Sequence, residues 1–176
     1  MQLIPTRQAL QLTGLSAPTL REWTSRRALI RADVPPKKQG STAKYGWQTI
    51  LLLRLAVTLR DRFHLELQAH RPLFASLRRG LRRRSFDALW DKALELHGRD
   101  EWLLVDEGMA EPLRQDAILI LLNPHLLILS EEFALPKPAG INGQLELFPG
   151  IPAGEPTRLP ARGASRFGSE WRRRSA

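Results

Sequence analysis

The 176-residue chain contains no cysteine, a single tyrosine and only two methionines. Without thiols there are no disulfide staples, no thiolate zinc or iron–sulfur sites and no cysteine nucleophile, and an intracellular setting is expected. Long apolar runs are also lacking. The greasiest stretch, Ala117 to Leu129, is interrupted by Asn123, Pro124 and His125, and Met1 to Leu12 has no apolar core of the signal-peptide kind. Neither a membrane span nor secretion is therefore expected, and the cytoplasm is the expected compartment.

Acidic residues are scarce where basic ones are common. The net charge is +9, but residues 1–99 hold 19 lysines and arginines against 7 acids, residues 100–133 hold 1 against 8, and residues 134–176 hold 7 against 3. A basic first part beside an acidic second part predicts an anion-binding face joined to a separate module, since a uniformly sticky surface would spread its charge evenly. At 43% hydrophobic and 26% charged, the composition is that of a globular chain long enough for one or two modest cores.

Capping and periodicity give the elements. Thr6 starts a helix to about Leu12, Gly14 punctuates it, and Ser16 caps a second helix, about Ala17 to Arg27, with Pro18 in its first turn. On the second helix Leu20 and Trp23 are spaced for burial, which leaves Thr19, Arg21, Ser25 and Arg26 facing outward. Arg31 to Lys44, with two prolines, Gly40 and the lysines Lys37, Lys38 and Lys44, suits a hairpin wing. Trp47 to Phe63 returns to helical spacing, with Leu52, Ala56, Leu59 and Phe63 on one stripe. A shorter helix runs from near Pro72 to Gly80, followed by the basic run Arg82, Arg83 and Arg84, and Ser85 is placed to cap another over Phe86 to His97, stopped by Gly98. Trp102 to Val105, Ala117 to Leu122 and His125 to Leu129 read as strands, with helix an open alternative for the last two. From Ala134 onward, six prolines and six glycines without periodicity predict a flexible tail.

Gly14-Leu15-Ser16 leading into Thr19-Leu20-Arg21 and Trp23, then Ala28-Leu29-Ile30, a basic segment and Lys44-Tyr45, make the first 65 or so residues resemble the MerR family of bacterial DNA-binding regulators. The resemblance implies a winged helix-turn-helix that binds double-stranded DNA, with Ser16, Thr19, Arg21, Arg26 and Arg27 on or beside the recognition helix. Arginine in the major groove reads guanine, and threonine meets phosphate or a thymine methyl. Lys37, Lys38, Lys44 and Arg54 would clamp phosphates. Lys44 and Tyr45 match the family's basic-residue and tyrosine pair at the end of the wing, although simple core packing is the other reading of Tyr45. Arg27 and Ala28 stand where family members commonly carry glycine, and Gly80 and Gly98 interrupt the region of the family's long dimerisation helix.

The expected fold class is thus mainly α: a winged helix-turn-helix domain over residues 1–80, a small α+β module over 81–133 serving dimerisation, and a disordered tail over 134–176. Within that tail Gln144-Leu145-Glu146-Leu147-Phe148 resembles the pentapeptide by which bacterial replication and repair proteins dock on the sliding clamp. Gln144 would supply hydrogen bonds, and Leu145, Leu147 and Phe148 the apolar contacts, of a peptide that folds as it binds. The basic end, Trp171 to Arg174, adds backbone affinity or serves solubility.

No catalytic residue is expected. His64, Glu66 and His70 lack the spacing that places two histidines on one helical face, and Asp100, Glu101, Asp106 and Glu107 are solvated loop charges without the further ligands of a metal-dependent nuclease. Phosphate-binding and dinucleotide-binding glycine motifs and a serine elbow are all missing. The expectations are therefore no enzyme, no metal and no cofactor. The first expectation is a transcriptional regulator acting at the nucleoid, as a homodimer. The alternative is a replication, repair or mobile-element accessory factor docked on the clamp. An RNA-binding module ranks third, because the aromatics fall on core stripes and form no stacking platform.

Overall fold

The computed structural model describes residues 2–36, 38, 41–107 and 116–138. A two-residue strand, β1 (Ile4–Pro5), leads into α1 (Thr6–Thr13). Pro5 enters the helix from extended backbone, and Gly14, at φ 69°, ends it in the left-handed conformation with its N–H on the Leu10 carbonyl at 2.9 Å. Few residues other than glycine hold that conformation cheaply, and the next helix therefore begins after a tight turn. In that helix, α2 (Ala17–Arg21), the Ser16 hydroxyl accepts the Thr19 N–H at 3.3 Å, and Pro18 sits in the first turn. The chain then widens into a π turn over Glu22–Arg26, closed by the Arg27 N–H on the Glu22 carbonyl at 2.8 Å.

The expected mainly α class is overturned here. Strand as well as helix builds the molecule, in two small antiparallel sheets. The winged helix-turn-helix reading also fails among the described residues, because no regular hairpin forms over Arg31 to Lys44. Instead β2 (Lys44–Tyr45) pairs with β1, Ile4 opposite Tyr45, and one isolated bridge from Val34 to Lys44 closes the loop. Pro35 and Pro36 follow Val34 directly, and proline has no N–H to extend a ladder.

Next comes α3 (Trp47–Phe63), the central element. Trp47, Thr49, Ile50 to Leu53, Leu55, Ala56 and Leu59 are buried, so it is enclosed nearly all round. A single 3-10 turn, Leu67–His70, precedes α4 (Arg71–Arg82), which is sharply two-sided: Leu73, Phe74, Leu77 and Leu81 face the core, and four arginines, Arg71, Arg78, Arg79 and Arg82, lie off that face.

The predicted helix over Phe86 to His97 is a second correction. Only a 3-10 turn, Asp87–Leu89, forms, and β3 (Lys92–His97) follows it. Asp91 adopts φ 55°, its N–H donating to Asn123 Oδ1 at 2.9 Å while Asn123 Nδ2 donates to Asp91 Oδ1 at 3.0 Å, so no α-helix passes this point. Gly98, at φ 58°, serves the hairpin turn into β4 (Glu101–Asp106). β5 (Ile118–Leu121) lies on the other side of β3, giving the antiparallel order β4-β3-β5, with Leu94 opposite both Leu104 and Ile120.

His125 to Leu129 is also not a strand: α5 (Asn123–Glu132) covers it, with Pro124 in the first turn, where a missing N–H removes no helical bond. One buried apolar cluster runs from Ile4 and Leu20 through α3 and α4 to Ile120, Leu129 and Phe133, on both sides of the 80/81 boundary. Trp47, Phe86 and Trp90 meet edge to face, with ring centres 5.1 and 5.8 Å apart, and tie the start of α3 to the approach to β3. Among the described residues no helix is long and apolar enough to cross a membrane.

Candidate nucleic-acid interface

The segment from Ser16 to Arg27 brings together five of the candidate contacts. Leu20 and Trp23 are buried and anchor it, and the Arg60 guanidinium lies 5.0 Å above the Trp23 ring, a cation–π contact from α3 that covers the indole. Thr24 is buried too, its hydroxyl donating to the Leu20 carbonyl at 2.8 Å. What remains outside is Ser16, Arg21, Ser25, Arg26 and Arg27, with Thr19 half-buried.

Several of these groups have duties within the protein. Ser16 caps α2 and shares a 2.8 Å hydrogen bond with the Thr19 hydroxyl, so both hydroxyls are oriented before any ligand arrives. Glu22 accepts Arg27 Nε at 2.6 Å, and Arg26 Nη1 lies 3.9 Å from its other oxygen. Arg26 nonetheless keeps 77% of its side chain exposed. Arg21 is exposed and, among the described residues, has no ion-pair partner. The π turn adds a residue between Arg21 and Arg27, which rotates the later side chains by roughly 100° from where an unbroken α-helix would carry them. Arg26 and Arg27 therefore do not continue the face that sequence spacing assigned to them.

The remaining candidates divide. Lys44 is exposed on β2. Lys38 is exposed on a turn where the Ser41 hydroxyl donates to the Lys38 carbonyl at 2.7 Å and accepts its N–H at 3.0 Å. Lys37 lies outside the described residues, as do Gln144, Leu145, Leu147 and Phe148. Tyr45 is only 2% exposed and belongs to the core. Arg54 does not stand ready for phosphate: it is half-buried, one Nη donates to the Leu12 carbonyl, and Nε donates to His125 Nδ1 at 3.3 Å. Burial holds its guanidinium below the usual arginine value. Arg54 falls off the apolar stripe by spacing, which marks it as exposed on a half-buried helix, whereas α3 is covered on nearly every side.

Sequence spacing did not single out a group of cations on α4. Arg71, Arg79 and Arg82 are exposed there, and Arg78 is partly buried against the loop after α2. The signal was present in the helical spacing of Leu73, Phe74, Leu77 and Leu81, which turns every arginine of that helix away from the core. Among the described residues no group of three or more histidine and acidic side chains is arranged to hold a metal ion. The chain matches no protein-family model, and no curated protein resembles it significantly in sequence.

Proposed function

We propose that this chain binds double-stranded DNA sequence-specifically through the Ser16–Arg27 segment and acts as a transcriptional regulator of the kind its likeness to the MerR family suggests. The observation that carries this is Arg21: an exposed guanidinium without a carboxylate partner among the described residues, on a capped helix whose other side is fixed in the core by Leu20. A rigid support matters because a two-pronged contact to guanine tolerates little misplacement. Thr19 flanks it as a further groove contact, and Arg26, turned to another face by the π turn, joins Lys38 and Lys44 in supplying phosphate contacts that set orientation without reading sequence. Such a protein works where the DNA is, at the nucleoid.

A second reading rests on Gln144-Leu145-Glu146-Leu147-Phe148: a replication or repair accessory factor that holds DNA with the same basic segment and docks on the sliding clamp through this peptide. Selection from a random duplex pool at physiological salt separates the two. The regulator yields a recovered motif, palindromic if two copies bind, and Arg21→Ala weakens binding to it by about 1 to 3 kcal/mol, roughly 5- to 150-fold. Recovery of no motif, with binding that only weakens as salt rises, overturns the regulator in favour of the clamp-docked factor.

A further inference from the structure

Three arginines of α4 are gathered around the exit of the Ser16–Arg27 segment by spacing and contact. Arg71, Arg78 and Arg82 fall on one stripe of the helix, beside its apolar face. The stripe faces the chain that leaves the π turn, and a groove of about 230 Å³ between them is lined by Ala28, Ile30, Arg31, Arg71, Phe74 and Arg78. Arg78 bridges it: Nη1 donates to the Arg31 carbonyl at 2.6 Å and Nη2 to Asp33 Oδ1 at 3.2 Å. Arg82 Nη2 lies 3.9 Å from the same oxygen, with 61% of its side chain exposed. The other oxygen of Asp33 accepts the Gly46 N–H at 2.7 Å.

Charge around the groove is therefore unbalanced. Arg31, Arg71 and Arg78 line the groove and Arg82 stands beside it, yet the one carboxylate there, Asp33, is already committed to Arg78 and to the backbone of Gly46, and among the described residues Arg31 and Arg71 have no ion-pair partner. Arg78 registers the crowding. Burial lowers its affinity for the proton, Asp33 opposes this, and Arg82 and Arg31 lower it further. Like charges held this close by packing are a concave anion site, and the planar fork of arginine suits the two free oxygens of a phosphodiester.

We propose that Arg31, Arg71 and Arg82 form a phosphate strip that grips the backbone of duplex DNA beside the Ser16–Arg27 segment, with Arg78 as the positioning residue. The strip rests on that segment meeting DNA, and the direct chain continuity from Arg26 and Arg27 to Arg31 is what makes the same duplex its occupant.

The test replaces the three exposed arginines together, R31Q, R71Q and R82Q, with a matching triple lysine variant, leaving Arg78 in place. Binding is measured against salt on a selected duplex and on an unrelated one, after thermal melting shows both variants folded. The strip predicts that the slope of log Kobs against log salt becomes shallower by about 2 to 3, close to 0.9 per lost contact, equally on both duplexes, while lysine retains most of the wild-type slope. An unchanged slope with sensitivity to Arg21→Ala intact overturns the strip and leaves the base-reading segment standing. A shallower slope with Arg21→Ala silent supports the strip and overturns base reading by Arg21 instead. Binding of inorganic phosphate by these arginines without any change of slope on DNA marks a small-anion site and also overturns the strip.

Discussion

Ala28 holds a backbone φ of 48°, in the left-handed region where a Cβ crowds the following carbonyl. The position is where the MerR-like pattern commonly has glycine, and the chain keeps the conformation without the residue that makes it cheap. The turn is enforced from both sides: the π turn closes on Glu22 just before it, and the Ile30 N–H reaches back to the Trp23 carbonyl at 3.2 Å just after it. Left-handed backbone costs a non-glycine residue about 1 to 2 kcal/mol, and glycine gives back about 0.5 to 1 kcal/mol through its looser unfolded state. Ala28→Gly should therefore stabilise the protein by about 0.5 to 1 kcal/mol, visible as a melting temperature raised by roughly 1 to 4 °C. A lower melting temperature would mean that the Ala28 methyl, at the wall of the arginine-lined groove, contributes more by packing than the strain costs. At this scale the sequence was informative about anchors, since Leu20 and Trp23 are buried as their spacing indicates. It was uninformative about Arg54, whose partners Leu12 and His125 come from distant parts of the chain.

Glycine in a helix normally marks its end, and Gly80 invites that reading, yet α4 runs through it to Arg82. The structural reason is the neighbouring sheet: a Cβ at Gly80 would clash with the edge of the Trp102 ring, whose Nε1 donates to Ser76 Oγ at 3.1 Å one helical turn earlier. The absence of a side chain is what lets α4 and β4 approach. Helix propensity alone would make Gly80→Ala stabilising by about 1 kcal/mol. The clash reverses the sign, and a loss of about 1 to 3 kcal/mol in urea unfolding is expected, largely relieved when Trp102→Leu is added, because the ring is then gone. Equal losses with and without Trp102 would exclude the close approach as the cause. Elements with one clear period were legible in this way: α1, and α3 with its bounds at Trp47 and Phe63. Phe86 to His97 was not, because a central strand buried on both faces has no alternation, and its residues happen to satisfy helical spacing as well. Over His125 to Leu129 strand and helix both fit the sequence, because Asn123 and Pro124 resemble a turn, and helix forms because Pro124 opens α5.

Across the whole molecule, charge and burial are organised by the same central helix. α3 carries the apolar contacts that join the amino-terminal helices to the sheet and α5, and at Arg54 it also carries a polar link, with α1 accepting at the Leu12 carbonyl and α5 at His125 Nδ1. That link requires a neutral imidazole, since a protonated Nδ1 cannot accept. Burial above all, with the nearby charges of Arg54 and then Arg62, pushes His125 from an ordinary value of 6.5 down to about 4. The folded protein thus resists protonation that the unfolded chain accepts. The contribution is complete above pH 6.5, where neither state is protonated, and it is lost as pH falls toward 4 while the unfolded state takes up the proton alone. A shift of this size corresponds to about 3 kcal/mol, and the partial exposure of the ring brings the expected loss nearer 2 kcal/mol. Urea unfolding of the wild type and of His125→Gln, measured from pH 7 to pH 4, tests this. Glutamine retains an acceptor for Arg54 but does not titrate, so the variant, although less stable at neutral pH, should lose about 2 kcal/mol less than the wild type over that range. Parallel curves would show that the carboxylates alone govern acid unfolding and that His125 takes up its proton as readily in the folded chain as in the unfolded one.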